Sequence, residues 1–528
     1  MKKTGKILLG CLLAASVFMT ACGGSKSSSS ADNTQTEAGK TEGSAAAGSS
    51  DGIIRAAMKA DITSLDPHDH NDVQSSYVTR HIYSNLVRVN ENNEVVGDLA
   101  ESWDYADDTT VNFKLKEGVT FSDGTPLTAE DVKFSLERLK ASAKVGHLAA
   151  MIDSVEVVDD LNFIIHMNQP SNALLTSLAH SGGAIMCKSY VEKLESEGKK
   201  VADAPMGSGP YTFVSWMPGS SVELKKNPNY FDEERAAKNE GIILKAISEE
   251  TSRTIALENG EVDLLLDVGS NDAQKIRDNE NLALDEYESS QIEMMNLNTS
   301  KAPFDNVLVR QAMNYAINKE DVLIVAINGE GTTVDGYLAP GAIGYKDTAV
   351  KYEYNPEKAK ELLAEAGYAD GFTFTAYLSN DTRARSATAV QANLQQIGIT
   401  MNIEQMEAST FFEKTGNGEH DACFSGWVAN AEPDNTYRPL FMSTNAGAGG
   451  NRAFYKNPDV DALIDDAATN RDEAKVDEDY KEITKTISED AIWVPLYSQT
   501  GFIARNKDLQ GVEISSFSMH VLSGAHYE

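Results

Sequence analysis

Between Val111 and Lys140 the chain reads "VNFKLKEGVTFSDGTPLTAEDVKFSLERLK", and its change of hydrophobic period constrains the fold more than any other feature. The first part alternates apolar and polar residues, the pattern of a half-buried strand. Asp123-Gly124 then supplies a turn, and Thr128 to Asp131 has the spacing of a capping box that opens a helix. The same grammar recurs further on. "NPEKAKELLAEAGY" places Asn355 at an N-cap, Pro356 at the first helical position and Gly367 as a stop, and "NPDVDALIDDAA" repeats the Asn-Pro start from Asn457. With strands and helices alternating and no short-period repeat, the spacing predicts an α/β fold rather than a β-sandwich or a helical bundle. Close to 480 residues take part, too many for one small core, so at least two lobes are expected.

The N-terminus is built differently. "MKKTGKILLGCLLAASVFMTACGG" sets three lysines before an apolar run, Ile7 to Met19, that is too short to span a bilayer as a helix but suits a secretory signal. Ala21-Cys22-Gly23 looks like a bacterial lipobox, with Met19 where leucine is usual. Residues 1–21 are thus read as a lipoprotein signal peptide, with Cys22 as the lipidated residue. Residues 22–51 follow as a tether of Gly, Ser, Ala, Thr and charges, which has too little apolar surface to fold. Such a tether reaches roughly 30 Å. The expected location is extracytoplasmic, lipid-anchored to the outer face of the cell membrane.

A formal charge of −34 argues against a nucleic-acid partner. The chain has no His-Glu-x-x-His, no Gly-x-Ser-x-Gly, no Walker loop and no dinucleotide fingerprint, so it is read as a non-enzyme without cofactors. The glycines of "MGSGPY" (Met206 to Tyr211) precede an extended segment and not a helix, which makes a poor phosphate cradle. "DPHDHND" (Asp66 to Asp72) is the one metal-like cluster. His68 and His70 could share a metal if the segment is extended; otherwise they are exposed imidazoles of a polar loop, and no metal is assigned. Cys187 and Cys423, far apart and without ligand-like spacing, are read as buried thiols, a disulfide between them being the less favoured alternative.

Several segments together resemble the extracytoplasmic solute-binding proteins of ABC importers, the peptide and nickel class known as family 5. They are "ITSLDPHD", "LAESWDYADDTTVNFKLKEGVTFSDGTPLTAEDVKFSLERL", "MGSGPYTFVSW", "LKKNPNYF", "LENGEVDLLLD", "MNLNTSKAPFDNVLVRQAMNYAINKEDVL", "YNPEKAKELLAEAGY" and "AIWVPLY", in the family's order. The resemblance implies a two-lobed periplasmic-binding-protein-like fold closing on a ligand about a hinge. Lobe 1 would span residues 52–293, with an extra subdomain at about 86–205, and lobe 2 residues 294–499. Residues 500–528 would return to lobe 1, with crossings at "MMNLNT" and "PLYSQT". The implied partners are a peptide or other small solute, an ABC permease with its ATPase, and the membrane through Cys22, the protein itself being a monomer.

The same resemblance implies the site. "FSGWVAN" would supply backbone hydrogen bonds to an extended ligand through Gly426, Val428 and Ala429, with Trp427 as a wall of the cleft. Peptide-binding relatives place an aspartate three residues after this tryptophan to receive the α-ammonium; here that residue is Asn430, which brings no charge. Either Glu432 or Asp434 replaces it, or the ligand has no free amine at that point. In "LSNDTRARSATAVQ", Arg383 or Arg385 could take a ligand carboxylate, and Ser64 and Leu65 would approach from lobe 1. The expected function is capture of an oligopeptide or peptide-like solute for import. The alternatives are a nickel or other metal complex, a sugar or an N-blocked compound on the same fold, or a receptor for a peptide pheromone.

Overall fold

A computed structural model of the chain describes residues 51–528 except Glu91, Asn92, Asn430, Ser516, Ser518 and Glu528. The expected signal peptide, Cys22, nearly all of the expected tether and Asn430 therefore lie outside the described residues. Among the described residues, no helix is long and apolar enough to cross a membrane.

The local signals act as the sequence predicts. The Asp131 carboxylate accepts the Thr128 N–H at 3.0 Å at the start of helix Ala129–Lys140. Asn355 accepts the Lys358 N–H at 3.0 Å and opens helix Pro356–Glu365, and Gly367 follows with φ +87°. Asn457 caps Pro458–Thr469 in the same way. Each such cap contributes on the order of 1 kcal/mol.

Helices and strands are mixed, and one eleven-stranded sheet runs through the molecule. Its order is Thr400–Gln405, Thr373–Leu378, Ala422–Val428, Leu282–Leu297, Trp493–Asn506, Leu264–Leu265, Ile53–Met58, Gly241–Ala246, Ser221–Lys226 and Tyr211–Met217, with Gly331–Thr333 added beside Trp493–Asn506. The two long strands in the middle, of 16 and 14 residues, pair with each other antiparallel. Their register slips between Glu288 and Ile292, opposite Thr500 and Ser498.

The cores change at that irregularity. Ile54, Leu244, Leu264, Ile503 and Leu522 share one apolar cluster, with Tyr287 packed against it. Met295, Phe374, Val390, Phe424 and Tyr497 share another. Ile292, Tyr437, Ile483 and Trp493 form a third on the opposite face of the same strands. A separate four-stranded antiparallel sheet, Ala100–Asp107, Thr110–Leu115, Asn162–Met167 and Ile152–Val157, closes its own core over helix Ala129–Lys140, where the Phe113 and Phe163 rings stack at 5.2 Å. Cys187 and Cys423 are both free and buried, and burial pushes the Cys423 thiol up to about 12.

Candidate functional site

Thr373–Leu378, Thr400–Gln405 and Ala422–Val428 run parallel to one another. In open α/β sheets ligands sit beyond the carboxyl ends of such strands. Here those ends are followed by the helix Asp381–Gln395 and by the segment from Ala429 to helix Asp434–Phe441. Both parts of the sequence that the family resemblance singles out therefore reach the same end of the sheet, close to the register slip of the central strands.

Ala422–Val428 lies against Leu282–Leu297, with Gly426 opposite Glu293 and Trp427 opposite Ile292. Val428 is exposed, and Ala429 donates its N–H to the Ser290 carbonyl and accepts the Ser290 hydroxyl at its own carbonyl. Trp427 is half-buried against the cluster of Tyr437 and Phe441. Its indole Nε1 is shielded from solvent yet makes no hydrogen bond among the described residues. A buried donor left open in this way costs roughly 1–3 kcal/mol, so it marks a place where a ligand acceptor would be welcome.

Arg383 stands in the first turn of helix Asp381–Gln395, behind the Asn380 N-cap. It pairs with Glu293 through Nε at 2.9 Å and Nη2 at 3.1 Å. Burial lowers the guanidinium pKa, but the adjoining Glu293 charge outweighs it and the net shift is upward. Arg385 turns away and donates to the Ala326 carbonyl at 2.9 Å. Glu293 was not singled out from sequence, though its signal is visible: the one acid in the largely apolar stretch "QIEMMNL".

The two acids after Asn430 are both engaged. Asp434 grips Arg438 Nε at 2.9 and 3.0 Å, so its charge is already balanced. Glu432 is 6% exposed and accepts the Thr176 hydroxyl at 3.1 Å. Burial pushes its carboxyl up to about 7, and only backbone and hydroxyl donors oppose the shift. Thr176 belongs to the helix Leu174–Ala179, in the part of the chain that packs with the separate antiparallel sheet. Further bonds cross nearby, from Asn172 to the end of helix Pro458–Thr469 and from Arg471 to Asn172 and to the Asp108 carbonyl. The Arg471 guanidinium also lies 4.3 Å over the Tyr105 ring. No sequence pattern announces these contacts, which join residues hundreds of positions apart.

Ser64 and Leu65 point inward. Leu65 is fully buried with Ile62 and Tyr83, and offers a ligand no surface. The Ser64 hydroxyl is turned to the Asp66 N–H at 3.1 Å. The Asp66–Asp72 loop is also a correction to the exposed-imidazole reading, since His68 and His70 are 5% and 2% exposed. Arg138 locks Asp66 with bonds of 2.8 and 2.6 Å and donates to His68 Nδ1 at 3.0 Å. A guanidinium there repels a metal cation, and no group of three possible ligands exists among the described residues.

Residues 94–448 match the profile of the bacterial extracellular solute-binding proteins, family 5 Middle. The glutathione-binding protein GsiB of Pectobacterium atrosepticum is 33% identical over 468 residues, which cover 86% of this chain and 90% of GsiB. Among solved structures, the ABC transporter-associated periplasmic binding protein DppA from Helicobacter pylori, in complex with the peptide STSA, superposes with a TM-score of 0.74 at 30% identity. It covers 90% of this chain and 98% of its own. HbpA2 from Haemophilus parasuis gives a TM-score of 0.82 at 27% identity, with coverage of 90% and 99%.

Proposed function

Since the chain belongs to family 5 of the bacterial extracellular solute-binding proteins, with their two-lobed α/β fold, we propose that it captures a peptide or peptide-like solute between its lobes and passes it to an ABC permease. The observation that carries this reading is the strand Ala422–Val428. It brings an open indole N–H at Trp427 and a buried ion pair beside Gly426 to the carboxyl end of the three parallel strands. GsiB is named for glutathione and DppA was solved with a peptide, which supports a ligand rich in amides and charged ends. The relatives are binding proteins, and we read this chain as non-catalytic. The lipobox reading of Ala21-Cys22-Gly23 supports anchoring through Cys22 at the outer face of the cell membrane. The metal-complex alternative loses its motivation once His68 faces Arg138.

The test is mass spectrometry of whatever co-purifies with the protein and is released by denaturation. Peptides or small amide-linked acids would support the reading. A sugar or a metal chelate as the retained species would overturn it.

A further inference from the structure

Glu293 and Arg383 meet where a ligand laid along Ala422–Val428 would lie. The pair is buried, with side chains 9% and 16% exposed. It rests directly on the ligand-facing strand: a Cβ built on Gly426 would come within 2.2 Å of Glu293 Oε1 and 2.8 Å of Arg383 Nη2. Gln291 adds a third bond to Glu293, from its side-chain nitrogen at 2.9 Å. Arg383 uses Nε and Nη2 on Glu293, while Nη1 makes no hydrogen bond with the described residues. The guanidinium thus keeps an open donor, and the carboxylate keeps acceptor capacity beyond its three bonds.

Charge balance then restricts what can bind. A ligand bringing only a carboxylate to Arg383 would strand Glu293 as an uncompensated buried anion. One bringing only an ammonium to Glu293 would strand the guanidinium. A group carrying both charges close together can exchange with the pair, its carboxylate taking Arg383 and its ammonium taking Glu293, and the buried charge stays at zero.

We propose that Glu293 is a ligand-binding residue that receives a ligand ammonium, and that with Arg383 it selects a zwitterionic α-amino-acid end, with both charges on one carbon. This rests on the reading of the protein as a binder of peptide-like solutes and narrows its ligand class. An ordinary α-linked peptide carries its two charges at opposite ends, roughly 3.5 Å further apart for every added residue. A γ-glutamyl compound, joined through its side chain, keeps them together. So does a free amino acid.

Calorimetric titration of the detergent-purified full chain with reduced glutathione, N-acetylglutathione and the α-linked isomer Glu-Cys-Gly tests this. The expected result is at least tenfold tighter binding of glutathione than of either analogue. Glu293→Gln should bring glutathione to within threefold of the N-acetyl form, and Arg383→Lys should weaken glutathione while keeping the preference for a free amine. The comparison of analogues on the unaltered protein needs no variant to fold. Full discrimination by Glu293→Gln, or a preference for the α-linked isomer, overturns the proposal and leaves the peptide-binding reading standing. If all three probes fail while other free peptides raise the melting temperature, the proposal alone falls. If no peptide does, both fall.

Discussion

The Asn172 side-chain oxygen accepts a hydrogen bond from Arg471 Nη1 at 2.9 Å, across 299 positions of sequence. Asn172 also donates from Nδ2 to the Ala467 and Asn470 carbonyls at 2.9 and 2.8 Å, and from its backbone to Ala468 at 2.9 Å. It therefore caps the last turn of Pro458–Thr469 from another part of the fold, and does so only while the two parts are together. Asn172→Ala should shift the molecule toward an open form and weaken ligand binding about tenfold, the effect of roughly 1–2 kcal/mol. Solution scattering beside a binding titration checks it. Unchanged compaction and affinity would show that these bonds are incidental to closure.

Glu432 should give closure a dependence on pH. Its carboxyl is pushed up to about 7 by burial, which outweighs the opposing hydrogen bond from Thr176, from an ordinary value of 4.5. The closed form thus holds a proton that an opened, hydrated Glu432 would release. Closure is fully favoured below about 4.5 and loses up to about 3 kcal/mol as pH rises through 7. Ligand affinity should fall across that window, and Glu432→Gln should flatten the profile. An affinity that climbs with pH in the unaltered protein would contradict the sign.

Trp427 should report the ligand. Its Nε1 makes no hydrogen bond with the described residues, so an acceptor brought by the ligand would change its surroundings directly. Emission should move on ligand addition, and Trp427→Phe should abolish the change although three other tryptophans remain. A spectral response that survives the substitution would place the sensor elsewhere.

Burial holds His68, His81, His180, His420 and His520 down to about 4. Each is neutral when folded and takes up a proton more readily when unfolded. Their contribution is complete above the ordinary histidine value of 6.5 and is lost as pH falls toward 4. The melting temperature should drop by roughly 10 °C or more between pH 7 and pH 4.5. A flat profile across that interval would mean that these imidazoles gain protons without opening the fold.

Cys22→Ala should move the protein from the membrane fraction to the soluble extracytoplasmic fraction. Retention in the membrane fraction would remove the lipid anchor from the account.

The sequence displayed local structure best. Thr128, Asn355 and Asn457 sit at helix starts because a cap acts within one turn, and alternation along Val111–Leu115 needs only neighbouring residues. For the candidate site, the sequence pointed to Gly426, Trp427 and Arg383 through one strand and one helix start, and the structure sets these three near each other at one end of the sheet, their contact with a ligand being part of the proposal. Leu65 went into the core because an apolar residue beside a turn looks the same from sequence whether it faces ligand or protein. Glu293, Thr176 and Asn172 matter through partners 90, 256 and 299 positions away, and periodicity has no means of pairing them.

The central strand Trp493–Asn506 contributes to cores on both sides of the register slip, and it comes near the end of the chain. Synthesis runs from the other end. Ile54, Ala56 and Leu244 are made early, yet their cluster is completed by Ile503, Leu522 and Ala525. The first part of the polypeptide must wait, partly exposed, until the last residues arrive. A fold stitched shut by its tail stays pliable while it is being made.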